Sequence, residues 1–395
     1  MFYKKDYEQP NNQLPDNNVG PNEEENCLNF DKKNNLCKTC FIGFLLINGK
    51  CILNYSFKAT FRTEKKNEVI LVNKFNLDFI DEMIIDNITL NTTCNYYKFS
   101  HPGEHIVYIL LYSLSGVTNK IDNLFSGITQ MISISFTEKF DTKNIINMNS
   151  FFEECSSLVS IDLSKLNTMN LLYTERMFFN CINLISINFG NFNSEKIISM
   201  KSMFAGCHSI SSIDFSSFKT MNLKNMEYMF SNCHILSSLN LSTFDTKNVN
   251  SMYNLFTNCS ELTYLNINNF NTKNVEDMSY MFYKCENLIS VNFSSFDVQN
   301  VKNMERMFSD CRQIKSLDLS NFYTPKLENM KEIFFNCNQL NYLDISLFYS
   351  ASDREIILYN SVSNYGTIKV ESHFWELIKS QFPGWEVLIV NQTYE

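Results

Sequence analysis

The spacing of the cysteines constrains this chain more than any other feature. Eight of the thirteen cysteines follow one another at intervals of 26 residues without an exception. These ladder cysteines are Cys155, Cys181, Cys207, Cys233, Cys259, Cys285, Cys311 and Cys337. A phenylalanine stands three residues before each of them, and Leu or Ile stands three residues after. Such a period indicates a repeat protein, in which each unit buries its apolar side chains by stacking on its neighbours.

Each repeat contains two periodicities. Residues 239–241 alternate apolar and polar side chains, which predicts a short strand. Between Val275 and Cys285 the apolar residues recur at intervals of three and four, which predicts one face of a helical turn. The Asp, Asn and Thr residues between these segments are expected to cap the helical turn and to bond local backbone. A strand and a helical turn in each repeat fit a solenoid.

Equivalent side chains of stacked repeats are expected to form ladders at about the 4.8 Å spacing of adjacent strands. The ladder cysteines should be reduced and inert, because in-register side chains point in parallel and a disulfide between them would be strained. His208 and His234 occupy equivalent places and should stack about 5 Å apart. The mixture of residues at this place in other repeats is typical of a solvent-exposed position rather than of a metal site.

The motif F-[ND]-T-K-N-V-x2-M-x2-M-F-x2-C stands in FDTKNVNSMYNLFTNC (244–259) and in FNTKNVEDMSYMFYKC (270–285). On these residues the chain resembles the BspA-type leucine-rich-repeat surface proteins over about residues 140–348. The resemblance implies a solenoid and a role in adhesion or recognition at the surface of a bacterium or protist. It carries over no catalytic residue. The expected fold class is an α+β repeat: a leucine-rich-repeat-like solenoid of short parallel strands and helical turns, with an N-terminal Cys-rich module and a small β domain.

Composition and pattern divide the chain into five segments. They are a disordered polar tail (1–26), a Cys-rich module (27–54), a small antiparallel β domain (55–118), the solenoid (119–349) and a C-terminal cap (350–395). The cysteines of the second segment are Cys27, Cys37, Cys40 and Cys51. They predict two disulfides or one tetrahedral zinc site, and the single CxxC pair is a weak zinc signal. The ending of this segment resembles Cys-rich modules of extracellular protist proteins, which favours disulfides.

The charge and the motifs exclude several classes of function. A formal net charge of −9 without a run of Lys and Arg argues against nucleic acid as a partner. No signal peptide and no apolar run long enough for a transmembrane helix is visible. Neither a nucleophile elbow, a zinc-protease motif nor a phosphate-binding loop occurs, so we expect no catalytic residue, no cofactor and no metal.

The polar position of each predicted strand carries Asp or Asn on the face opposite the buried leucines. With neighbouring tyrosines these residues form the candidate binding face: Asp162, Asn188, Asp214, Asn240, Tyr264, Asn266, Asn292, Asp318, Tyr342 and Asp344. A polar, mildly acidic and repetitive face suits an extended polypeptide or a glycan. The alternative is that these side chains only stabilise the stacked coils through hydrogen bonds.

The sequence therefore predicts a non-enzymatic recognition or adhesion protein that binds a protein or glycan through this face, at the cell surface or outside the cell. The alternative is an intracellular, cytoplasmic interaction scaffold with the same solenoid and a zinc-stapled N-terminal module. The N-terminal cysteines separate the two hypotheses, because disulfides require an oxidising compartment whereas zinc thiolates tolerate a reducing one.

Overall fold

The computed structural model describes residues 55–71, 80–90, 94–111, 121–348 and 362–390 in full. It also describes the backbone of four earlier strands: β1 (Cys27–Asp31), β2 (Leu36–Cys40), β3 (Phe44–Ile47) and β4 (Lys50–Leu53). The chain divides into two compact units. The first comprises Met1–Leu114 with Ile132–Phe140, and the second comprises Ser115–Met131 with Asp141–Glu395.

The first four strands form two antiparallel pairs, β1 with β2 and β3 with β4. In the first pair Cys27 lies opposite Cys40 along the backbone. The side chains of Cys27, Cys37, Cys40 and Cys51 lie outside the described residues, as does the whole segment 1–26. The choice between disulfides and zinc therefore stays a prediction.

The rest of the first unit is a set of β-strands. They are β5 (Phe57–Thr63), β6 (Glu68–Leu71), β7 (Ile80–Ile85), β8 (Ile88–Thr89), β9 (Tyr96–Phe99), β10 (Gly103–Leu111) and β11 (Met131–Phe136). Five of them form a sheet in the order β11-β5-β10-β7-β8, and β6 pairs with β9. The tight connection from β7 to β8 contains Asp86 and Asn87, both with positive φ, as a two-residue hairpin turn requires. Alternate side chains of β10 are buried, from His105 to Leu111, which gives this sheet its core face.

Short parallel strands recur in the second unit at six of the eight predicted places, and residues 212–214 and 290–292 form no strand. The six strands are β12 (Ser160–Asp162), β13 (Ser186–Asn188), β14 (Ser238–Asn240), β15 (Tyr264–Asn266), β16 (Ser316–Asp318) and β17 (Tyr342–Ile345). Their pairing steps by one repeat, so that Leu239 lies beside Leu265. A second line of parallel bridges joins successive coils eight residues before each ladder cysteine, from Asn147 to Asn329. The repeated, stacked structure predicted from the period is thus present.

The predicted helical turns are absent, and the unit is a β-solenoid. In the coil that ends at Cys259, every second backbone N–H from Met252 to Asn258 donates to a carbonyl of the next coil, at 2.7–3.1 Å. The N–H groups of Leu255 and Thr257 instead donate to carbonyls three residues back. An α-helix needs N–H bonds to carbonyls four residues back at every position. The segment is therefore a run of tight turns that is bonded to its neighbour.

Backbone torsions explain why the apolar spacing did not produce a helix. Residues five and one before each ladder cysteine adopt positive φ in all eight coils, as Asn254 (55°) and Asn258 (62°) do. A right-handed helix requires negative φ throughout, so these two residues interrupt it in every coil. The turns between them still bring side chains three and four residues apart onto one side, which is the periodicity that the sequence shows.

The threonine that recurs in most repeats bonds the next coil rather than a helix start. Thr246 donates its hydroxyl to the carbonyl of Asn271 (3.0 Å) and accepts the N–H of the same residue (2.8 Å). Two positions later, Asn248 donates Nδ2 to the carbonyl of Met221 in the preceding coil (3.0 Å). The polar part of the repeat thus bonds each coil to both of its neighbours.

Aromatic rings fill the centre of the solenoid. Phe152, Phe178, Phe204, Phe230, Phe256, Phe282, Phe308 and Phe334 stack in one file, with ring centroids 5.5–6.0 Å apart and planes within 17° of parallel. Offset stacking at this distance is favourable and adds to the burial of large apolar surfaces.

The C-terminal residues extend the stack. Strands β18 (Thr367–Glu371) and β19 (Glu386–Val390) continue the parallel sheet of β16 and β17, with helix α1 (Ser372–Ile378) and a 3-10 turn (Lys379–Gln381) between them. The helix begins where the Glu371 carboxylate accepts the N–H of Phe374 (3.0 Å). It is the only α-helix in the described part of the chain. Among those residues no helix combines the length and apolar character of a membrane span.

Candidate recognition surface

The ladder cysteines lie inside the solenoid and face no solvent. All eight are fully buried thiols that form no disulfide bond. Each Sγ lies 3.0–3.2 Å from a phenylalanine carbonyl oxygen of the preceding coil, as Cys259 does from that of Phe230. Burial raises the pKa of the seven thiols from Cys181 to Cys337, to about 12 for Cys233. The thiol is a weak donor that satisfies a buried carbonyl here, and a protonated buried thiol is a poor nucleophile.

Native protein is expected to leave these eight thiols unmodified by a soluble maleimide at neutral pH, whereas unfolding in urea should expose all of them. Peptide mass mapping after timed labelling measures each site separately. Cys94 is half-buried and serves as the internal comparison. Labelling of a ladder cysteine in the native state as fast as Cys94 would contradict the inert-ladder interpretation.

Most of the predicted binding face is exposed to solvent, on the strands and, for Asp214 and Asn292, at the equivalent positions of two coils without a strand. Exposed residues are Asp162, Asn188, Asp214, Asn240, Tyr264, Asn292 and Asp318. Asn266 and Tyr342 are half-buried. Tyr264 is 57 % exposed and lies beside Ser238 in the parallel register, as Asn266 lies beside Asn240. We call this surface the strand face.

The Asp and Asn side chains of the strand face also act locally. In every coil Oδ1 accepts the backbone N–H of the residue two positions later, as Asn240 does from Ser242 (3.1 Å) and Asp318 from Ser320 (3.0 Å). These hydrogen bonds form Asx turns at the strand ends. The Ser320 hydroxyl and N–H together lower the pKa of Asp318, so its carboxylate is ionised at neutral pH.

Two side chains of the strand face are joined across coils: Asn188 Nδ2 donates a hydrogen bond to Asp162 Oδ1 of the preceding coil (3.1 Å). The Asx bonds to the backbone two residues later, by contrast, stay within one coil. The turn-forming role therefore explains why each coil carries Asp or Asn here, while the exposure of these groups leaves them accessible to a ligand.

Asp344 does not belong to the exposed face, which corrects its place in the predicted set. Its side chain is 3 % exposed, and its carboxylate pairs with Lys369 Nζ at 3.0 Å. The cause is β18, which places Lys369 opposite Asp344 in the next position of the parallel sheet. The carboxylate raises the pKa of Lys369 in turn. Asp344 is therefore not part of the strand face.

His208 and His234 stack as the repeat predicts, with ring centroids 4.7 Å apart. His208 is exposed and His234 is half-buried. Partial burial, and then the neighbouring His234, lower the pKa of His208. A lowered pKa favours the neutral form of His208 at physiological pH, and the two rings by themselves supply too few ligands for a structural metal site.

The sequence did not point to a buried polar cluster in the first unit. His105 is fully buried, and its Nδ1 lies 2.6 Å from Asp86 Oδ2. Its Nε2 lies 3.0 Å from Thr63 Oγ1 and 3.1 Å from the carbonyl oxygen of His101. Asp86 Oδ1 also accepts the N–H of Ile106 (2.9 Å). Periodicity gave no signal for this cluster, because its members come from two strands and two turns far apart in sequence.

Asp86, His101 and His105 offer ligand atoms within 4.8 Å of one another. Both ring nitrogens of His105, however, already have protein partners, and Thr63 is 3 % exposed. The arrangement resembles an acid, base and hydroxyl triad, yet the hydroxyl is closed off from any substrate. The cluster therefore acts as a satisfied hydrogen-bond network that orders the sheet.

Asp86→Ala is expected to destabilise the first unit by roughly 2–3 kcal/mol, since it removes the acceptor for both His105 and the Ile106 N–H. Asp86→Asn is the matched control, because it keeps an acceptor oxygen and tolerates the positive φ at this position. Hydrogen exchange of the β10 amides measures the effect. Equal protection in the alanine variant and the wild type would show that the network contributes little.

The stacked coils define the class of this protein: a solenoid repeat protein built from short parallel strands and tight turns. Three overlapping segments, 108–212, 178–285 and 250–356, each match the family described as "Mycoplasma protein of unknown function, DUF285". Together they cover more than half of the chain, which therefore belongs to the DUF285 family. The three successive matches follow the tandem repeats of the solenoid. No curated protein matches the chain.

Proposed function

We propose that this chain is a non-enzymatic recognition protein whose solenoid binds a protein or glycan partner through the strand face. The observation that carries the proposal is the parallel register of exposed and half-buried hydroxyl and amide groups from coil to coil, as in Ser238 beside Tyr264 and Asn240 beside Asn266. An array of polar groups repeated at about 4.8 Å matches a ligand that is itself extended and polar. The exposed ring of Tyr264 adds an apolar contact with a polar tip.

The finer assignment is a BspA-type adhesin at the cell surface or outside the cell. The support for it is the repeat motif, which recurs in phase through the solenoid. The alternative is an intracellular scaffold with a zinc-stapled N-terminal module. Thiol alkylation and metal analysis of protein from its native source distinguish the two: blocked thiols at Cys27, Cys37, Cys40 and Cys51 support export, whereas one bound zinc supports the scaffold.

The strand-face proposal is tested by binding to immobilised glycans and extracellular-matrix proteins. The variant Tyr264→Ser, Asn292→Asp, Asp318→Asn carries at each position a residue that another coil carries there, so its fold should be kept. Loss of at least about tenfold in affinity is expected for a partner that binds wild-type protein. Tyr323→Ala, an exposed tyrosine outside the face, is the control. Unchanged binding by the triple variant, or an equal loss in the control, would refute the assignment.

A further inference from the structure

A second surface of the solenoid carries a continuous file of tyrosines. Tyr228, Tyr253, Tyr280 and Tyr283 are half-buried and lie on the turn segments of three successive coils. Neighbouring rings meet edge to face, with centroids 5.1, 6.1 and 5.5 Å apart along the file. None of these residues belongs to the strand face. We call this surface the tyrosine strip.

The backbone beneath the strip favours other residues. Tyr228 and Tyr280 have φ of 57° and 58°, and Asn254 occupies the equivalent position between them with φ of 55°. Asn adopts this left-handed conformation readily, whereas a bulky residue does so at an energetic cost. Every coil has a positive φ at this position, so the repeat imposes the conformation on the two tyrosines. The two aromatic side chains are thus held in place against the local preference of the chain.

Around Tyr228 and Tyr280 the nearby charges are paired within the chain, whereas at the Tyr283 end Lys284 Nζ lies 5.3 Å from the centre of that ring. Lys201 Nζ lies 2.7 Å from Glu227 and 5.9 Å from the centre of the Tyr228 ring. At the other end Glu305 accepts the hydroxyl of Tyr280 at 2.8 Å. Burial, and then this hydrogen bond, raise the pKa of Tyr280 to about 12. A surface of neutral aromatic rings beside paired charges complements an uncharged, apolar ligand rather than an ionic one.

The distance between equivalent tyrosines along the strip matches the repeat length of one ligand conformation. Parallel bridges from Asn225 to Ser251 and from Ser251 to Asp277 hold these coils at strand spacing, so Tyr228 and Tyr280, two coils apart, are separated by about 9.6 Å. A polyproline II helix repeats every three residues, or about 9.3 Å. Side chains three residues apart in such a helix therefore meet equivalent tyrosines.

We infer that the tyrosine strip docks a proline-rich segment of a partner protein in the polyproline II conformation. Aromatic-lined surfaces bind such segments because the ligand is preformed and loses little conformational entropy. Prolines at the first and fourth positions pack against Tyr228 and Tyr280, and Tyr253 packs against the residues between them. The inference is independent of the strand-face proposal, since the two surfaces share no residue.

The test uses the full chain and a fluorescent oligoproline peptide of about ten residues, with fluorescence anisotropy as the readout. Saturable binding is expected for the wild type. The double variant Tyr228→Asn, Tyr280→Asn should weaken it by about tenfold or more. Because Asn254 already occupies this position in the intervening coil, the variant should fold with unchanged or higher thermal stability. Tyr264→Ser, on the strand face, should bind like the wild type.

Three outcomes would overturn the inference. The first is absence of saturable oligoproline binding, and the second is equal binding of a Gly/Ser peptide of the same length. The third is oligoproline binding that the double variant retains. Analytical ultracentrifugation of the same proteins tests whether the strip instead binds a second copy of this chain. A dimer that forms with the wild type and not with the double variant would assign the strip to that contact. None of these results bears on the strand-face test.

Discussion

Phe256→Ala is expected to lower the free energy of unfolding by about 3–5 kcal/mol. Phe256 is fully buried and stacks between Phe230 (5.7 Å) and Phe282 (5.5 Å). Truncation removes the buried ring and leaves a cavity that stacked coils cannot close, because hydrogen bonds on both sides fix their separation. Urea unfolding monitored by circular dichroism measures the loss.

Phe256→Leu is the control for this variant, since leucine fills part of the cavity and should cost about 1–2 kcal/mol. Leu255 precedes it and is also fully buried, so the coil already accommodates leucine in its core. A loss under about 1 kcal/mol for the alanine variant would show that the coils relax around the missing ring.

Thr246→Val should cost about 2–3 kcal/mol at nearly unchanged volume. The fully buried hydroxyl both donates to the Asn271 carbonyl and accepts the Asn271 N–H, so valine leaves two backbone groups without a partner. Urea unfolding of the variant, combined with hydrogen exchange at the Asn271 amide, measures the global and local effects.

Thr246→Ser is the matched control, because another coil of this chain already has serine at the equivalent position. Ser194 occupies the equivalent position and makes the same pair of bonds to Lys219, at 3.1 and 2.8 Å. Valine occurs there once, as Val298, and the N–H of Tyr323, which stands in the place of Asn271, donates to the carbonyl of Asn321 in its own coil (3.0 Å). Equal stability of the valine and serine variants would mean that Asn271 finds water as a replacement partner.

The period of 26 residues was sufficient to predict the repeat, the parallel strands and the cysteine ladder positions. It was not sufficient to predict the conformation of the segment before each cysteine. Spacing of three and four is shared by a helix and by this run of tight turns, and only the positive φ at positions such as Asn254 and Asn258 separates them. Asn is common throughout the chain, so its recurrence there gave no usable signal.

The strand face and the tyrosine strip could likewise be predicted only in part from the sequence. The strand face followed from alternation along each strand, yet the burial of Asp344 depends on Lys369, which alternation does not relate to it. The tyrosine strip has no regular sequence pattern, because Tyr253 stands one position earlier in its coil than Tyr228. Only the contacts between coils bring these rings together. The His105 cluster likewise requires the sheet pairing of the first unit.

The direction of the hydrogen bonds between turn segments has an electrical consequence. In the turn segments from Met148 to Asp310, alternate N–H groups, such as those of Met252, Asn254 and Phe256, donate to the C-terminal neighbour. The peptide dipoles of these groups add along the solenoid axis, as they do in an α-helix. Other amides that cross between coils, such as those of Lys224 and Glu276, donate to the preceding coil and oppose this sum. Each run of forward-pointing turn amides thus has its positive end toward the next coil, without any contribution from charged side chains.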